Sequence, residues 1–192
     1  KPTTCLPLLR RKSRSVELMI QFSPMSFQFS LGIDLGTSNS AIAIADFGTG
    51  QASIVEITQL LGPSQIGEMP TLASALYIPN PQEFPADSVK LPWSSEPDIV
   101  GHFAREHGTL VPDRLVTSAK SWLSNPHVDP RQPVLPWAST IEGKLSAFEC
   151  SRRYLAHLKD GFLHAEAAQG REWDLSQGQI VLTVPASFEE VA

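Results

Sequence analysis

Cysteine is scarce in this chain of 192 residues, and its scarcity argues against two classes of protein. The two cysteines, Cys5 and Cys150, are far apart and form no Cys-x-x-Cys pair. A small disulfide-stabilised secreted domain needs more cysteines, and a cysteine-based zinc site needs them in close pairs. The composition therefore favours a reducing compartment, and we expect a cytoplasmic location.

Long apolar runs are also missing, although 42% of the residues are hydrophobic. No stretch reaches the roughly 18 consecutive apolar residues that a membrane-spanning helix requires. A folded chain of this length buries roughly 70% of the surface that its unfolded state exposes. We therefore expect a folded domain with a hydrophobic core and no membrane association.

A basic surface is lacking outside the N-terminal segment. Residues 1–30 have a net charge of +4, and the remaining 162 residues have a net charge of −9. An acidic body repels phosphodiester backbones, so we expect no nucleic-acid binding. We interpret residues 1–24 as a leader that is disordered or not native, with translation starting at Met25 or Met19. An organellar targeting segment is the alternative for these residues.

Several common catalytic motifs are missing as well. The sequence contains no G-x-x-x-x-G-K-[ST], no H-E-x-x-H and no G-x-S-x-G. These absences argue against a Walker-type NTPase, a zinc protease of the H-E-x-x-H class and a serine hydrolase with a nucleophile elbow. The five histidines have no metal-ligand spacing, and we interpret them as surface or core residues.

The pattern that is present begins with a β-meander. Three apolar segments separated by glycine turns (FQFSLGIDLG, SAIAIAD and QASIVEI) predict three consecutive strands between residues 27 and 57. We expect residues 61–71 to form a loop and ASALYIP a fourth short strand. Residues 79–98 are rich in proline, which predicts an irregular surface excursion.

The C-terminal half predicts helices followed by one more strand. VGHFAREHG and PDRLVTSAKSWLS are both interpreted as helical, and the clearest helix runs from about residue 146 to 165. Ser146 and Glu149 have the spacing of a capping box at its start. Four apolar residues of this helix follow one another at offsets of seven, three and four, which places them on one face: Phe148, Leu155, Leu158 and Phe162. We expect this face to be buried.

A β-branched segment, IVLTVPASF, predicts a buried strand after this helix. A strand that follows a long helical crossover pairs in parallel with its sheet. The sequence therefore predicts an α/β fold whose mixed sheet starts with the meander and includes this parallel strand.

The segment GIDLGTSNS has the residue types of a phosphate-binding turn. Gly36 allows a positive φ and leaves no Cβ in the path of an anion. The backbone N–H groups of Thr37, Ser38 and Asn39 then form a concave set of donors. Asp34 suits a hydrated Mg²⁺, which uses few carboxylates. An ordinary hairpin with a glycine turn explains the same spacing equally well.

A family resemblance favours the phosphate interpretation. LGIDLGTSNSAIAIAD resembles the first phosphate motif of the 70-kilodalton heat-shock chaperones of the DnaK type, within the actin-like ATPase superfamily. Further segments resemble that family in its own order: PTLAS, VGHFAR, LVTSAKSWLS, LSAFECSRRYLAHL and VLTVPASFEEVA. Together they span residues 29–192.

The resemblance implies a ribonuclease-H-like lobe of the actin-like fold, with a small inserted subdomain at about residues 80–140. It implies ATP or ADP and Mg²⁺ as ligands, with Asp34 binding Mg²⁺ through water. Lys120 falls where the family places its catalytic lysine, and Pro185 matches its interdomain-coupling proline. The phosphate contacts fall on Gly36, Thr37, Ser38 and Asn39. A solvated helix lysine and a plain strand terminator remain the alternatives for Lys120 and Pro185.

The implied function is ATP hydrolysis that drives peptide binding and release by a molecular chaperone. The implied partners are unfolded client polypeptides, J-domain proteins and nucleotide-exchange factors. Ser187 stands where DnaK has a tyrosine, and the segment of residues 79–97 is longer than the corresponding segment of DnaK. These two differences indicate a divergent bacterial branch of the family.

The second phosphate motif of the family, D-x-G-G-G-T, does not occur in the sequence. We therefore expect residues 25–192 to be the first half of a nucleotide-binding domain that is inactive in hydrolysis alone. The alternative functions are a small-molecule kinase of the same superfamily, such as a sugar kinase, and a non-catalytic protein that retains the fold.

Overall fold

The computed structural model describes residues 27–85, 87–94 and 96–183. The chain has an α/β fold with a mixed sheet, as the sequence predicts. The leader predicted over residues 1–24 and the proline Pro185 lie outside the described residues. No helix within the described ranges is long and apolar enough to cross a bilayer.

The predicted meander is confirmed. Its strands pair as antiparallel neighbours in the order β1 (Phe29–Asp34), β2 (Asn39–Asp46) and β3 (Gln51–Ile54). Phe29, Leu31 and Ile33 are buried, which is the two-residue period of a strand with one face toward the core.

The parallel pairing predicted for the last strand is confirmed for the residues that can be described, but its predicted burial is wrong. Ile180, Val181 and Leu182 are 40–48% exposed, because their strand lies at the edge of the described sheet. The last strand of the sheet, β10 (Gly178–Thr183), pairs in parallel with β1 from Phe29 opposite Gly178 to Asp34 opposite Thr183. The sheet therefore has the order β10, β1, β2, β3.

The predicted loop over residues 61–71 is wrong. A hairpin occupies most of it, formed by β4 (Ile57–Gly62) and β5 (Gln65–Met69). Pro63 and Ser64 make the turn, with Ser64 at a φ of 58°. Glycine and proline suggested a loop, but here they define the ends and the turn of a short antiparallel pair.

The short strand β6 (Leu72–Ala73) pairs with β2 and so belongs to the first sheet. A separate three-stranded sheet follows, in which β7 (Ala75–Tyr77) lies between β8 (Ile99–Val100) and β9 (Leu115–Thr117). The predicted strand ASALYIP is confirmed as β7.

The helix predicted over PDRLVTSAKSWLS is wrong in its first half. A 3₁₀ turn at Pro112–Arg114 leads into β9, and only α2 (Ala119–Leu123) is α-helical. Val116 and Thr117 are β-branched and pair with Leu76 and Ala75, so strand pairing outweighs the helical spacing. The helix predicted over VGHFAREHG is confirmed as α1 (His102–Gly108).

The longest helix, α3 (Ala147–Ala168), confirms Ser146 as the predicted N-cap but corrects the other half of the capping box and the buried face. The Glu149 carboxylate accepts hydrogen bonds from Arg152 and Arg153 rather than from the Ser146 N–H. The Glu149 N–H donates to Ser146 Oγ at 3.0 Å. Phe148 is 49% exposed and lies beneath the guanidinium of Arg131. The buried side chains that join β1 in the main core are Ala147, Cys150, Tyr154, Leu158 and Phe162.

Candidate functional site

The turn between β1 and β2 depends on Gly36 for a different reason from the predicted one. Gly36 does not adopt a positive φ. A Cβ at this position would instead lie 1.9 Å from the carbonyl oxygen of Asn39. Gly36 is therefore required because the backbone of Asn39 occupies the space that a side chain would need.

The buried Ser74, at the bend between β6 and β7, holds this turn in place. Ser74 Oγ donates to the carbonyl oxygen of Gly36 at 2.8 Å, and the Ser74 N–H donates to the carbonyl oxygen of Ser38 at 3.0 Å. The hydroxyls of Ser40 and Ser74 are 2.9 Å apart. Since the single proton of Ser74 Oγ is used on Gly36, Ser40 Oγ is the donor of that pair.

The tip of the turn faces solvent. Thr37, Ser38 and Asn39 are exposed. Among the residues the structure describes, no acceptor receives the backbone N–H of Thr37 or Ser38. Asn39 begins β2, opposite Ala73. The backbone N–H groups of Thr37 and Ser38 are therefore available to an anion, together with their two hydroxyl groups.

Asp34 lies beside this turn at the exposed end of β1. Its Oδ1 accepts a hydrogen bond of 2.7 Å from the Thr183 hydroxyl at the end of β10. No group of three or more His, Cys, Asp or Glu side chains in the described part of the chain has the arrangement of a metal site. One exposed carboxylate fits a hydrated Mg²⁺, which keeps most of its waters, rather than an all-protein metal cage.

Arg105 also reaches the turn, from helix α1. Its Nη1 donates to Asn39 Oδ1 at 3.2 Å. Its contact with an acidic side chain is long, with 3.9 Å between Nε and Glu106 Oε1. A positive charge therefore lies within hydrogen-bond distance of a residue predicted to contact phosphate.

The start of α1 is fixed by a fully buried glutamine. Gln59 Oε1 accepts the His102 N–H at 2.8 Å, and Gln59 Nε2 donates to the Thr71 carbonyl oxygen at 3.0 Å. Gly101 has a φ of 96°, and a Cβ there would lie 2.6 Å from both Gln59 Oε1 and Leu72 Cδ1. The helix that presents Arg105 is thus tied to β4 and to the start of β6.

Lys120 lies on α2, which begins two residues after the end of β9. Thr117 at the end of β9 pairs with Ala75, the residue after Ser74. Ser118 then adopts a left-handed φ of 55° and turns the chain into α2. Lys120 is half-buried, and within the described ranges no carboxylate lies at salt-bridge distance from it. The sheet register thus places Thr117, three residues before Lys120, beside the neighbour of Ser74. Among the described residues, no hydrogen bond or ion pair joins Lys120 to the turn.

Two other polar clusters are occupied by their own internal contacts. The first joins Tyr77, Glu83 and His107, because Tyr77 Oη and His107 Nε2 lie 2.5 and 2.7 Å from Glu83 Oε1. Burial and the neighbouring carboxylate raise the pKa of Tyr77 well above its usual value. Burial acts to raise the pKa of Glu83, but these hydrogen bonds and one from the Asn80 N–H outweigh it and hold the pKa low. The cluster fixes residues 80–83 to β7 and α1.

The second cluster surrounds a cavity of about 140 Å³ between residues 89–100 and helix α3. Arg153 contacts Asp98 and lies 3.4 Å from Glu96, while Arg152 pairs with Glu96 at 2.8 Å. His157 Nε2 lies 3.0 Å from the Thr58 carbonyl oxygen, and burial lowers the pKa of His157 to about 4. These charged groups are paired with one another rather than presented to a ligand.

The structure thus brings together Asp34 and the predicted phosphate residues, and it adds three residues that sequence analysis did not assign to the site. Ser74 and Arg105 lie in PTLAS and VGHFAR, and Thr183 lies in the predicted strand IVLTVPASF. Each contacts the turn from at least 34 residues away, with the longest separation at 149 residues. Only the register of the strands could have identified them.

Comparison with known proteins adds no identity. The chain matches no protein-family model and no curated protein. The geometry of the turn and the motifs in the sequence are therefore the basis for its proposed function.

Proposed function

We propose that this chain is the phosphate-binding part of a DnaK-like chaperone ATPase. The observation that supports the proposal most directly is the turn held by Ser74, which leaves the N–H groups of Thr37 and Ser38 open beside Asp34. An ordinary hairpin turn needs no buried serine from a distant part of the chain to hold it.

In this proposal the turn binds the phosphate oxygens of ATP. The Thr37 and Ser38 N–H groups and hydroxyls donate hydrogen bonds to those oxygens, since charge-assisted bonds to an anion are about twice as strong as neutral ones. The hydrogen bonds from Ser74 keep the backbone in one conformation before the ligand arrives. A preformed site loses less entropy on binding than a mobile loop does.

Asp34 would hold Mg²⁺ through water in the same proposal. The Thr183 hydroxyl occupies Oδ1 and orients the carboxylate, so Oδ2 is left for a metal-bound water. Mg²⁺ would supply positive charge that neutralises phosphate oxygens during phosphoryl transfer. The residues of this chain would contribute orientation, because Thr183 fixes the rotamer of Asp34.

Lys120 would stabilise the charge that develops on the γ-phosphoryl group and orient the attacking water. Its side chain has no carboxylate partner among the residues described, so its charge is available to a ligand. Pro185 would couple hydrolysis to a peptide-binding domain. Client polypeptides, J-domain proteins and nucleotide-exchange factors are the proposed partners, and ATP hydrolysis would need a second lobe.

A titration of the chain with Mg·ATP, followed by NMR, tests the phosphate site. We expect the largest amide shifts at Gly36, Thr37 and Ser38, with weak affinity and no turnover. Thr37→Ala should weaken binding by about three- to tenfold, since one hydrogen bond to a ligand contributes about 1 kcal/mol. Thr49→Ala, in the turn between β2 and β3, is the matched control. Shifts confined to another surface would contradict the proposal, and phosphorylation of an added sugar would favour the kinase alternative.

A further inference from the structure

We infer that Arg105 is a positioning residue for the phosphate turn and contributes a positive charge to it. The inference rests on the proposed function and extends it, because neither the sequence motifs nor the proposed chemistry assigns Arg105 a role. Its basis is the hydrogen bond from Arg105 Nη1 to Asn39 Oδ1.

This hydrogen bond determines which way the Asn39 amide faces. A guanidinium group has only donors, so the atom that faces it must be the carbonyl oxygen of the amide. The two N–H donors of Asn39 Nδ2 then lie at the opposite end of the amide. Within the ranges that the structure describes, Nδ2 makes no hydrogen bond to protein. Arg105 therefore orients a donor group that remains available to a ligand.

The charge of Arg105 matters because the turn has none of its own. Residues 35–40 are all uncharged, and Asp34 beside them is acidic. A phosphate chain approaching this turn is repelled by the Asp34 carboxylate unless a cation compensates it. Among the residues described, Glu106 is the acid nearest to Arg105, and its contact of 3.9 Å is too long for a strong ion pair.

Arg105 also lies on a firmly held element. The Gln59 side chain fixes the first turn of α1, and the Gly101 N–H donates to the Ala75 carbonyl oxygen at 3.0 Å. Ala75 follows Ser74, which holds the turn itself. The same short stretch of chain therefore positions both the turn and the helix that presents Arg105. This arrangement suits a ligand with several negative charges, such as a nucleoside polyphosphate.

Two measurements on the chain test the inference, one without ligand and one with inorganic tripolyphosphate. In Arg105→Met, we expect the side-chain N–H₂ signals of Asn39 to move in the NMR spectrum before any ligand is added. We expect tripolyphosphate affinity to fall about tenfold and to depend less on salt, as the loss of one phosphate-directed cation predicts. Arg105→Lys should recover the affinity to within about threefold because it retains the charge.

A double variant separates positioning from charge. If Arg105 acts partly through Asn39, the loss of affinity in Arg105→Met with Asn39→Ala should be smaller than the product of the two single losses. Lys159→Met, on α3, removes the same charge elsewhere and should leave the affinity within about twofold. Arg105→Gln, which also removes the charge, serves as the second variant if Arg105→Met does not fold, with the same expected loss of affinity.

The outcomes distinguish this inference from the proposed function. Absence of tripolyphosphate and Mg·ATP binding to the unmodified chain would overturn both. Binding by the unmodified chain with equal affinity in Arg105→Met, and with unmoved Asn39 signals, would overturn the role of Arg105 alone.

Discussion

His157 shows how the burial of one side chain makes stability depend on pH. The imidazole lies on α3 against the Thr58 carbonyl oxygen, and it is 7% exposed. Burial disfavours the charged form, which lowers the pKa of His157 from 6.5 in the unfolded chain to about 4. Between these two values the unfolded chain binds a proton that the folded chain does not. The stabilisation is therefore complete above pH 6.5 and decreases as the pH falls toward 4.

We predict that His157 lowers the free energy of unfolding by about 2 kcal/mol between pH 7 and pH 5, since each pH unit in this window is worth about 1.4 kcal/mol. His157→Gln removes the titration and keeps an amide N–H for the Thr58 carbonyl oxygen. Its unfolding free energy, measured in urea at both pH values, should lose about 2 kcal/mol less than that of the unmodified chain. His127 is exposed, so the control variant His127→Gln should lose as much unfolding free energy between the two pH values as the unmodified chain does. Equal losses in all three proteins would contradict the prediction.

Gly36 illustrates how far single residues could be interpreted from the sequence. Its identity as a required glycine in the turn between β1 and β2 was predictable, because the turn connects two apolar strands. The reason was not predictable, since the obstacle is the carbonyl oxygen of Asn39 rather than a left-handed φ. Phe148 was predicted on the buried face of α3, but its ring is exposed and contacts the guanidinium of Arg131. Spacing alone cannot distinguish an aromatic ring in the core from one that packs against a cation at the surface.

At the scale of elements, one error is local and the other is long-range. The local error is the β4–β5 hairpin, whose glycine and proline were interpreted as a loop. The meander and α3 follow from local periodicity, and both were predicted. Residues 115–117 instead become a strand because Leu76 and Ala75 supply backbone partners about 40 residues earlier. Ser74 and Arg105 escaped assignment for the same reason, since their contacts depend on how separate elements align.

Gln59 links β4 to the start of α1 and to the start of β6. Removal of its amide should therefore destabilise all three elements together. Gln59→Leu nearly preserves the volume but leaves the His102 N–H and the Thr71 carbonyl oxygen without their partner. We predict a loss of about 2–4 kcal/mol in the free energy of unfolding, because each unpaired buried polar group costs about 1–3 kcal/mol. Urea unfolding measures the loss, and hydrogen exchange at the His102 amide should accelerate.

The matched control for this prediction is Gln132→Leu at an exposed position, which should change stability by less than about 0.5 kcal/mol. A Gln59→Leu protein as stable as the control would mean that water or a shifted side chain replaces the lost partners. In that case, the link between β4 and α1 would not depend on Gln59.

At the scale of the whole molecule, the candidate site is assembled from both ends of the described chain. Asp34 on β1 meets Thr183 on β10, while Ser74 and Arg105 approach from the middle of the sequence. A site assembled in this way forms only when the sheet is complete. Its chemistry is therefore a property of the folded molecule, and Lys120 provides the test of that chemistry.

We predict that Lys120→Ala, in the full-length ATPase that the resemblance implies, lowers single-turnover ATP hydrolysis by about 100-fold or more. Removal of one preorganised electrostatic group typically costs about 10²–10³ in rate. Nucleotide affinity should change far less, because a contact made mainly in the transition state contributes little to ground-state binding. Thermal stability should be almost unchanged, as Lys120 has no ion pair among the described residues. Lys159→Ala on α3 is the control. An unchanged rate would show that Lys120 is a solvated helix lysine.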